Sequence, residues 1–515
     1  MKKENAARTV GFIFFAIVLS KVFGQVREMA IANFYGMGIE AAAYTAASRL
    51  PVSFFDMILG SAVSSAFIPV YNMFVQKEGK ERASHFADSF INIVLLATVF
   101  FSILGVLFAP GIISVFSPNL NTDVKTLAIE LLRIMFPMII FVGLAFTFVG
   151  LLQSMGEFKI PAVMSMVSSG LCILYLFIFN KKFGIYGLSI ALLIGWGLQF
   201  FILVFPAYKR GFRYHIKAGF YDSGLKQVVF LALPVLATSW VQPLNTQINI
   251  MIGSTLDHTG GAIAAINYAD RLYVIAASVF AISVTNYIFP KLSQLNANGN
   301  EKEWGQVVRT SVKSVILLVV PIAILFMVES RDIVRIIYER GQFGDKAANI
   351  TSTILSCYSF GMTGYAVQEV FNKAFFSKQN KKTPMLIAVG TILCNITLCI
   401  ILGRFFHIFG LSIAVSISSL TFAVVSGICI SRKMKDNAFA GFGRELAQIA
   451  IMAVTTVSAA IGTKVLCYHF IAPTNLLNSF ILFMIPACVG VLVYGMMALI
   501  LRIDEIKYIK KIIKR

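Results

Sequence analysis

The chain has 515 residues, of which 58% are hydrophobic and 13% are charged, and its mean hydropathy is +0.80. Soluble domains carry about 25% charged residues, so this composition excludes a water-soluble globular protein and indicates a surface solvated mostly by lipid. The net charge of +20 does not indicate a nucleic-acid partner, because the Lys and Arg residues lie mostly in short loops and at the C-terminus rather than on one basic face.

Apolar runs follow one another along the chain, and each is long enough to cross the hydrocarbon core of a bilayer as a helix. We count about fourteen of them, at roughly 20 residues per span. In chain order they are residues 9–34, 41–74, 86–116, 126–152, 160–179, 184–207, 225–252, 261–289, 307–327, 347–376, 384–406, 410–430, 446–470 and 477–501. The sequence therefore predicts an all-α polytopic membrane protein.

Loop charges orient these runs. Both ends of the chain and every second loop carry Lys or Arg, which by the positive-inside rule places them in the cytoplasm and requires an even number of helices. Two predicted outside segments depart from the rule, one with Lys181 and Lys182 and one from Glu329 to Lys346. In the second, apolar residues recur at helical spacing among charges, which fits either an interfacial amphipathic helix or a solvated loop.

The chain is also loosely two-fold. Residues 150–161 and 375–384 each follow a long run, carry Lys and end at a Pro before a similar run. Repeated halves are common in transporters, where one half rocks against the other.

Several membrane runs carry ionisable residues, each of which costs at least about 2.5 kcal/mol near the bilayer centre and so needs a partner or a water-filled cavity. The ionisable and amide residues of interest are Lys21, Arg27 and Glu28 in the first run, Arg49 and Asp56 in the second, Asp270 and Arg271 in the eighth, and Gln368, Glu369, Asn372 and Lys373 in the tenth. Cations on separate helices favour a cavity for an anionic headgroup, in which Arg would bind phosphate in bidentate fashion. The alternative is that neighbours such as Arg27 and Glu28, Asp270 and Arg271, or Glu369 and Lys373 form internal ion pairs or reach an interface.

No catalytic, metal-binding or nucleotide-binding pattern accompanies these charges. The seven Cys are scattered without a CxxC pair, the five His lack a partner spacing, and no GxxxxGK[ST] phosphate loop is present. We therefore predict a transporter rather than an enzyme, with no cofactor and no metal.

Motifs along the chain resemble those of the MurJ (MviN) lipid II flippase family. The stretch from Ser20 to Glu28 is similar to the family's first-helix motif Ser-Arg-x-x-Gly-x-x-Arg-Asp. Further similar stretches are residues 48–51 with 66–69, residues 268–272 with 289–293, residues 339–343 and residues 382–384. The resemblance covers nearly the whole chain, and the motifs are specific together rather than singly.

The resemblance implies the fold of the multidrug/oligosaccharidyl-lipid/polysaccharide (MOP) exporter superfamily. That fold has two six-helix lobes with a pseudo-two-fold relation, here residues 1–215 and 216–437, and residues 438–515 would add two C-terminal helices and a basic cytoplasmic tail. It also implies transfer of lipid II, an undecaprenyl-diphosphate glycan-peptide, across the bacterial cytoplasmic membrane by alternating access. Membrane lipids and cell-wall synthesis proteins would be partners.

Mapped by motif, Lys21, Arg27 and Arg271 resemble the family's cavity cations for the diphosphate, and Glu28 stands where the family has Asp. Lys21 replaces an Arg and so lacks the planar fork of donors. After Pro51, the family's Asn and Arg positions read Val52, Phe55 and Asp56. The family's proposed sodium site aligns with Asn249, Asn395, Cys399 and Val415, whose amide, thiol and apolar groups suggest a vestigial site.

Two other functions remain open from the sequence. The altered second helix leaves room for an exporter of another polyprenyl-linked oligosaccharide. A non-transporting membrane scaffold for cell-wall enzymes is the other alternative.

Overall fold

The computed structural model describes residues 3–60, 66–215, 222–239, 241–380, 382–433, 441–473, 475–501 and 503, and this described part contains helices and no strand. Its contacts group the chain into two compact units, Met1–Ala264 and Ala265–Arg515. This boundary differs from the lobe boundaries predicted at residues 215 and 437, and the division into lobes stays a prediction.

The first unit is built from short and long helices in succession. They are α1 (Lys3–Tyr35), α2 (Ile39–Ser48), α3 (Leu50–Phe55), a π-helical turn (Asp56–Gly60), α4 (Ile68–Lys77), α5 (Lys80–Leu107), α6 (Ala109–Phe116), α7 (Thr122–Met135), α8 (Met138–Ser154), α9 (Lys159–Ile178), α10 (Asn180–Lys209), α11 (Ser223–Ser239) and α12 (Val241–Leu256). Within this unit α1 packs along α9, and α10 packs on α8 and α9.

The helix α13 begins in the last residues of the first unit and continues into the second. Its helices are α13 (Gly261–Ala297), α14 (Glu301–Val328), α15 (Ser330–Tyr338), α16 (Asp345–Ser377), α17 (Lys382–Lys433), α18 (Phe442–Phe470) and α19 (Leu476–Ile500). Here α16 packs against α14 and α17, and the final pair α18 and α19 packs together and against α14.

The described parts of the predicted apolar runs lie in or directly beside these helices, but several runs are interrupted. The second breaks at Arg49, after which Pro51 stands in the first turn of α3. The fourth bends by 44° between α7 and α8, around Pro137. Pro lacks an N–H and is well suited to the first turn of a helix, where that N–H would have no partner, so Pro51 and Pro137 favour the start of a new segment. Other Pro residues, such as Pro206 and Pro321, lie inside continuous helices.

The number of spans stays a prediction. Eight described helices are long and apolar enough to cross a membrane, or nine if the bent pair α7 and α8 forms one span. The helix α17 counts once in this number although it covers both the eleventh and the twelfth predicted runs. Its backbone breaks at His407, between those runs.

The two-fold repeat is clearer in the structure than in the loops that suggested it. Residues 183–191 read Phe-Gly-Ile-Tyr-Gly-Leu-Ser-Ile-Ala, and residues 406–414 read Phe-His-Ile-Phe-Gly-Leu-Ser-Ile-Ala. In both stretches the second residue leaves the helical conformation, Gly184 with φ 53° and ψ −146° and His407 with φ 51° and ψ −131°. The sequence offset between these two breaks equals that between Pro161 and Pro384, so each unit carries one copy of the motif.

The segment from Glu329 to Lys346 forms a helix at its start, as the amphipathic alternative predicts. Ile333, Val334 and Tyr338 of α15 are buried, and α15 packs on α14, α16 and α19. A freely solvated loop is therefore the wrong alternative for residues 330–338. The buried acidic side chain of Asp332 on this helix also differs from a simple interfacial helix, which would turn its charges to water.

Candidate functional site

The first unit contains the predicted charges of α1. Arg27 and Glu28 are joined by a salt bridge of 2.8 Å between the Arg27 guanidinium and Glu28 Oε1, and their side chains are 16% and 6% exposed. Tyr44 of α2 and Cys172 of α9 are electrostatic neighbours of Arg27. The ion pair considered as the alternative is thus formed, and it lies where α1 packs on α9.

Lys21 lies nearly two turns earlier on α1 and is partly buried. Next to it, the Ser20 hydroxyl donates to the Ala162 carbonyl at 3.0 Å, which joins α1 to the start of α9. Lys21 and the Arg27–Glu28 pair together carry a net charge of +1, so this part of α1 stays cationic even with the salt bridge formed.

The second predicted site segment sits at the break after α2. Arg49 occupies the turn between α2 and α3, and Asp56 begins the π-helical turn. A Cβ on Gly60 would lie 2.8 Å from Asp56 Oδ1, so the carboxylate rests against a backbone that has no side chain there. π-helical turns often occur at functional sites, and this one begins five residues after Pro51.

In the second unit, Asp270 and Arg271 follow a tight aromatic cluster. Tyr268 packs on Tyr338 with ring centroids 5.1 Å apart and meets Phe343 edge-on at 5.5 Å. All three rings are buried. The motif at residues 268–272 therefore packs directly on the motif at residues 339–343, and this contact fixes the position of the half-buried Asp270 and Arg271.

The four polar residues of the tenth run share one stripe of α16. Gln368, Glu369, Asn372 and Lys373 are all partly exposed, whereas their neighbours Val367, Val370, Phe371 and Ala374 are buried. The Lys373 ammonium lies 5.4 Å from the ring centroid of Phe289 on α13, and its charge also acts on Glu369. The structure thus brings this stripe next to α13, the helix that carries Asp270 and Arg271.

Comparison with known proteins decides the family. The family model described as "MurJ: Lipid II flippase MurJ" matches residues 31–486. The chain belongs to the MurJ lipid II flippase family. A probable lipid II flippase MurJ of Rhizobium meliloti (strain 1021) is 28% identical over 398 residues, covering 74% of this chain and 72% of that protein. A probable lipid II flippase MurJ of Treponema pallidum (strain Nichols) is 25% identical over 545 aligned residues, covering 99% of this chain and 98% of that protein.

Solved structures give the same result. A lipid II flippase MurJ in an inward closed conformation superposes with a TM-score of 0.79 at 26% identity, covering 96% of this chain and 99% of that one. An inward-facing multidrug resistance transporter of the MATE family and MOP superfamily has a TM-score of 0.71 at 13% identity, covering 82% and 97%. The second likeness concerns the fold alone.

The two amide residues predicted for a vestigial cation site in this MurJ family member belong to different units. Asn249 is on α12 in the first unit, and Asn395 is buried on α17 in the second. The Asn395 side-chain oxygen is approached by the Ser418 hydroxyl at 3.5 Å and the Cys399 thiol at 3.7 Å. Within the described residues, no three His, Cys, Asp or Glu side chains are grouped so that they could hold a metal ion.

Several polar contacts of this MurJ family member were not anticipated from the sequence. The Gln247 amide of α12 donates to the Ser53 hydroxyl of α3 at 3.1 Å, beside Arg49 and Asp56 in the chain. Buried Asp222 accepts two bonds from Arg82, and Glu329 and Asp332 surround Lys464. Each pair joins residues far apart in sequence, so no local spacing could have revealed it.

Proposed function

We propose that this chain transfers lipid II from the cytoplasmic to the outer leaflet by alternating access, for cell-wall synthesis. The observation that carries the proposal is the match of residues 31–486 to the lipid II flippase family. The chemistry of the headgroup agrees with it, because the membrane helices of this chain carry partly buried cations and lipid II carries a diphosphate.

Lys21 and Arg27 of the first unit and Arg271 of the second are the proposed ligands of the diphosphate. An Arg guanidinium can donate two parallel bonds to a phosphate, whereas Lys21 contributes a point charge. Glu28 holds Arg27 through their salt bridge, and the diphosphate would compete with Glu28 for the same donors. Arg49, Asp56, Asp270 and the polar stripe of α16 are proposed to line the route of the headgroup.

The driving step would follow from the same charges. Without substrate, like charges repel across a low-dielectric environment, so the empty transporter favours an open state. A bound diphosphate neutralises the cations and lowers the energy of the closed state, and the ligand shifts the equilibrium only through this difference.

The chain is a multi-pass protein of the bacterial inner membrane, as its family and its apolar helices indicate. We further propose that both termini are cytoplasmic, since basic loops alternate along the chain. Anionic membrane lipids and proteins of cell-wall synthesis are the proposed partners.

Complementation of a flippase-depleted strain tests the site. Arg27→Ala and Arg271→Ala should each abolish growth while the amount of protein in the membrane stays normal. The matched control is Arg133→Ala, because Arg133 is an exposed cation in the last turn of α7 and should be dispensable. Full growth of either site variant would remove that residue from the mechanism.

A leaflet-accessibility assay for lipid II in depleted cells tests the substrate. Outer-leaflet labelling should fall on depletion and return with the wild-type chain. Unchanged labelling would contradict lipid II transfer and favour another polyprenyl-linked oligosaccharide. Normal growth with reversed charges at Arg27 and Arg271 would favour a non-transporting scaffold.

A further inference from the structure

A second group of charges is buried at the junction of α14, α15 and α18, and it includes none of the proposed substrate ligands. Glu329 directly follows α14 and Asp332 lies in the first turn of α15, and neither side chain is exposed. Lys464 of α18 places its ammonium 3.0 Å from Glu329 Oε2 and 2.7 Å from Asp332 Oδ2. It also donates to the Val328 carbonyl at 2.9 Å. One ammonium therefore faces two fully buried carboxyl groups.

Other charged and titratable groups around this junction come from α15, α16 and α18. Arg335 lies 3.4 Å from Asp332 Oδ1, and the Tyr468 hydroxyl donates to the same oxygen. Farther out, Arg331 pairs with Glu339 at 2.9 Å and with Asp345 at the start of α16. The helix α19 also packs on α15 and contains no charged residue. Altogether, four carboxyl groups face three cations, namely Glu329, Asp332, Glu339 and Asp345 against Arg331, Arg335 and Lys464.

One carboxyl oxygen of this group has neither a hydrogen bond nor an ion-pair contact within the described residues. Glu329 Oε1 is buried without a hydrogen-bond partner among the described residues. The Lys464 ammonium lies 3.0 Å from Glu329 Oε2 and 2.7 Å from Asp332 Oδ2, so it holds the two carboxyl groups next to each other. Two neighbouring carboxylates have no proton to donate to each other, and their negative charges repel. A buried acceptor without a donor destabilises the folded state. A single proton between them removes both penalties.

We propose that Glu329 and Asp332 share one proton and form a proton-binding site that fastens α15 to α18. The proton converts one carboxyl group into a hydrogen-bond donor toward the other. The remaining negative charge pairs with Lys464, and the three cations then face three carboxylates. The site ties the C-terminal helix pair to the helix that follows α14.

Burial raises the pKa of Glu329 to about 7, with Lys464 opposing this rise and Asp332 adding to it. Because this pKa lies above that of an exposed Glu, the folded protein binds the proton more tightly than the unfolded chain does. The stabilising contribution is therefore complete at acidic pH and is lost as the pH rises through about 7.

Infrared spectroscopy of the full-length protein in liposomes observes the proton directly, through the carbonyl band of a protonated carboxyl group. Wild-type protein should show a band that disappears as the pH rises through about 7. Glu329→Gln should abolish this titrating band. Asp332→Asn should lower its midpoint by roughly one pH unit or more, because the negative neighbour is gone. The control Glu301→Gln, at an exposed acid of α14, should leave the band unchanged.

Thermal unfolding across the same pH range supplies a second readout. Glu329→Gln resembles the protonated acid in shape, so it should fold and lose the decline in stability that the wild type shows as the pH rises from the ordinary Glu pKa to about 7. A band component titrating at about 7 that is as strong in Glu329→Gln as in the wild type, or a midpoint unmoved by Asp332→Asn, would overturn the shared proton. Neither measurement involves transport, so its result is separate from that of the lipid II assays.

Discussion

Replacing Arg82 with Ala should release the chain around Asp222 from the start of α5. Arg82 donates to Asp222 Oδ2 at 2.6 Å and Oδ1 at 3.0 Å, and Asp222 is 2% exposed. The Gly224 N–H donates to the same carboxylate at 2.7 Å, at the start of α11. Arg82 also has an exposed partner, Glu78, at 3.5 Å, which provides an internal control on the same side chain.

The two partners of Arg82 should differ clearly in energy. Hydrogen bonds to charged groups contribute about 1.5–3 kcal/mol each, and removing one member of a buried pair costs about 3–5 kcal/mol. A quarter of the Arg82 side chain remains exposed and solvent screens part of the interaction, so we expect a coupling of about 2–4 kcal/mol with Asp222. The coupling with Glu78, which is 52% exposed and lies one turn away, should be only about 0.3–0.5 kcal/mol.

A pair of double-mutant cycles measures both couplings. One cycle combines Arg82→Ala with Asp222→Asn, and the other combines Arg82→Ala with Glu78→Gln. Hydrogen exchange of the Gly224 amide reports local opening, and thermal unfolding of the purified protein reports any global effect. Equal couplings in the two cycles would refute the reasoning, because burial would then have no influence on the strength of the pair.

Acidification gives an independent check. Burial by itself raises the pKa of Asp222, but the bonds from Arg82 and Gly224 outweigh it and hold the pKa below the ordinary value of 3.8. The pair therefore stabilises fully above about pH 4 and is lost as the pH falls through the lowered pKa. In Arg82→Ala, the pKa of Asp222 should rise, because burial raises it and the bonds from Arg82 no longer lower it. Protection of the Gly224 amide against hydrogen exchange should therefore be lost at a higher pH than in the wild type.

Two further predictions concern the backbone. His407→Gly should stabilise the protein and Gly184→Ala should destabilise it, each by about 1–3 kcal/mol. The reason is that both positions have a positive φ, which glycine adopts without strain. Unfolding midpoints of the two variants that shift in the same direction would contradict this. Gly361→Ala and Gly364→Ala should each cost about 1–3 kcal/mol, since the added Cβ would lie 2.4 Å from Ser416 Cα and 2.7 Å from Leu420 N. Gly390→Ala is the control, with no atom within 4 Å of its Cβ, and an equal loss there would show that close packing of α16 on α17 is not the cause.

Hydropathy alone located the helices of this fold because each run is long and apolar. It did not locate the interruptions, since Arg49 and Phe108 lie in sequences that are as apolar as the rest of their runs. Proline supplies part of that signal, because Pro51, Pro110 and Pro137 each stand at or next to the start of a new helix. No Pro or Gly marks the break at His407. It becomes predictable only when its sequence is aligned with the similar stretch around Gly184.

The sequence selects the residues proposed for the candidate site, but it does not predict their contacts. Counting charges in apolar runs is enough to select Arg27 and Glu28, but the sequence allowed either an ion pair or two separate roles. Adjacent residues on a helix point about 100° apart, so their contact depends on the side-chain conformations that α9 and α2 permit. The contact between Tyr268 and Tyr338 was equally hidden, because long-range packing leaves no trace in local periodicity.

The buried charges of this chain separate into two kinds by their partners. Arg82 with Asp222, and Lys464 with Glu329 and Asp332, join helix ends to distant segments and are closed by several bonds each. Arg309 and Lys313 of α14 hold Glu445 of α18 in the same way. Such pairs hold elements in place, and removing one member leaves a buried charge behind. Among the described residues, Arg27 forms a salt bridge with Glu28, which is adjacent on the same helix. The diphosphate that we propose as its ligand would therefore replace Glu28 without breaking an ion pair between helices, which is the property that a substrate ligand needs.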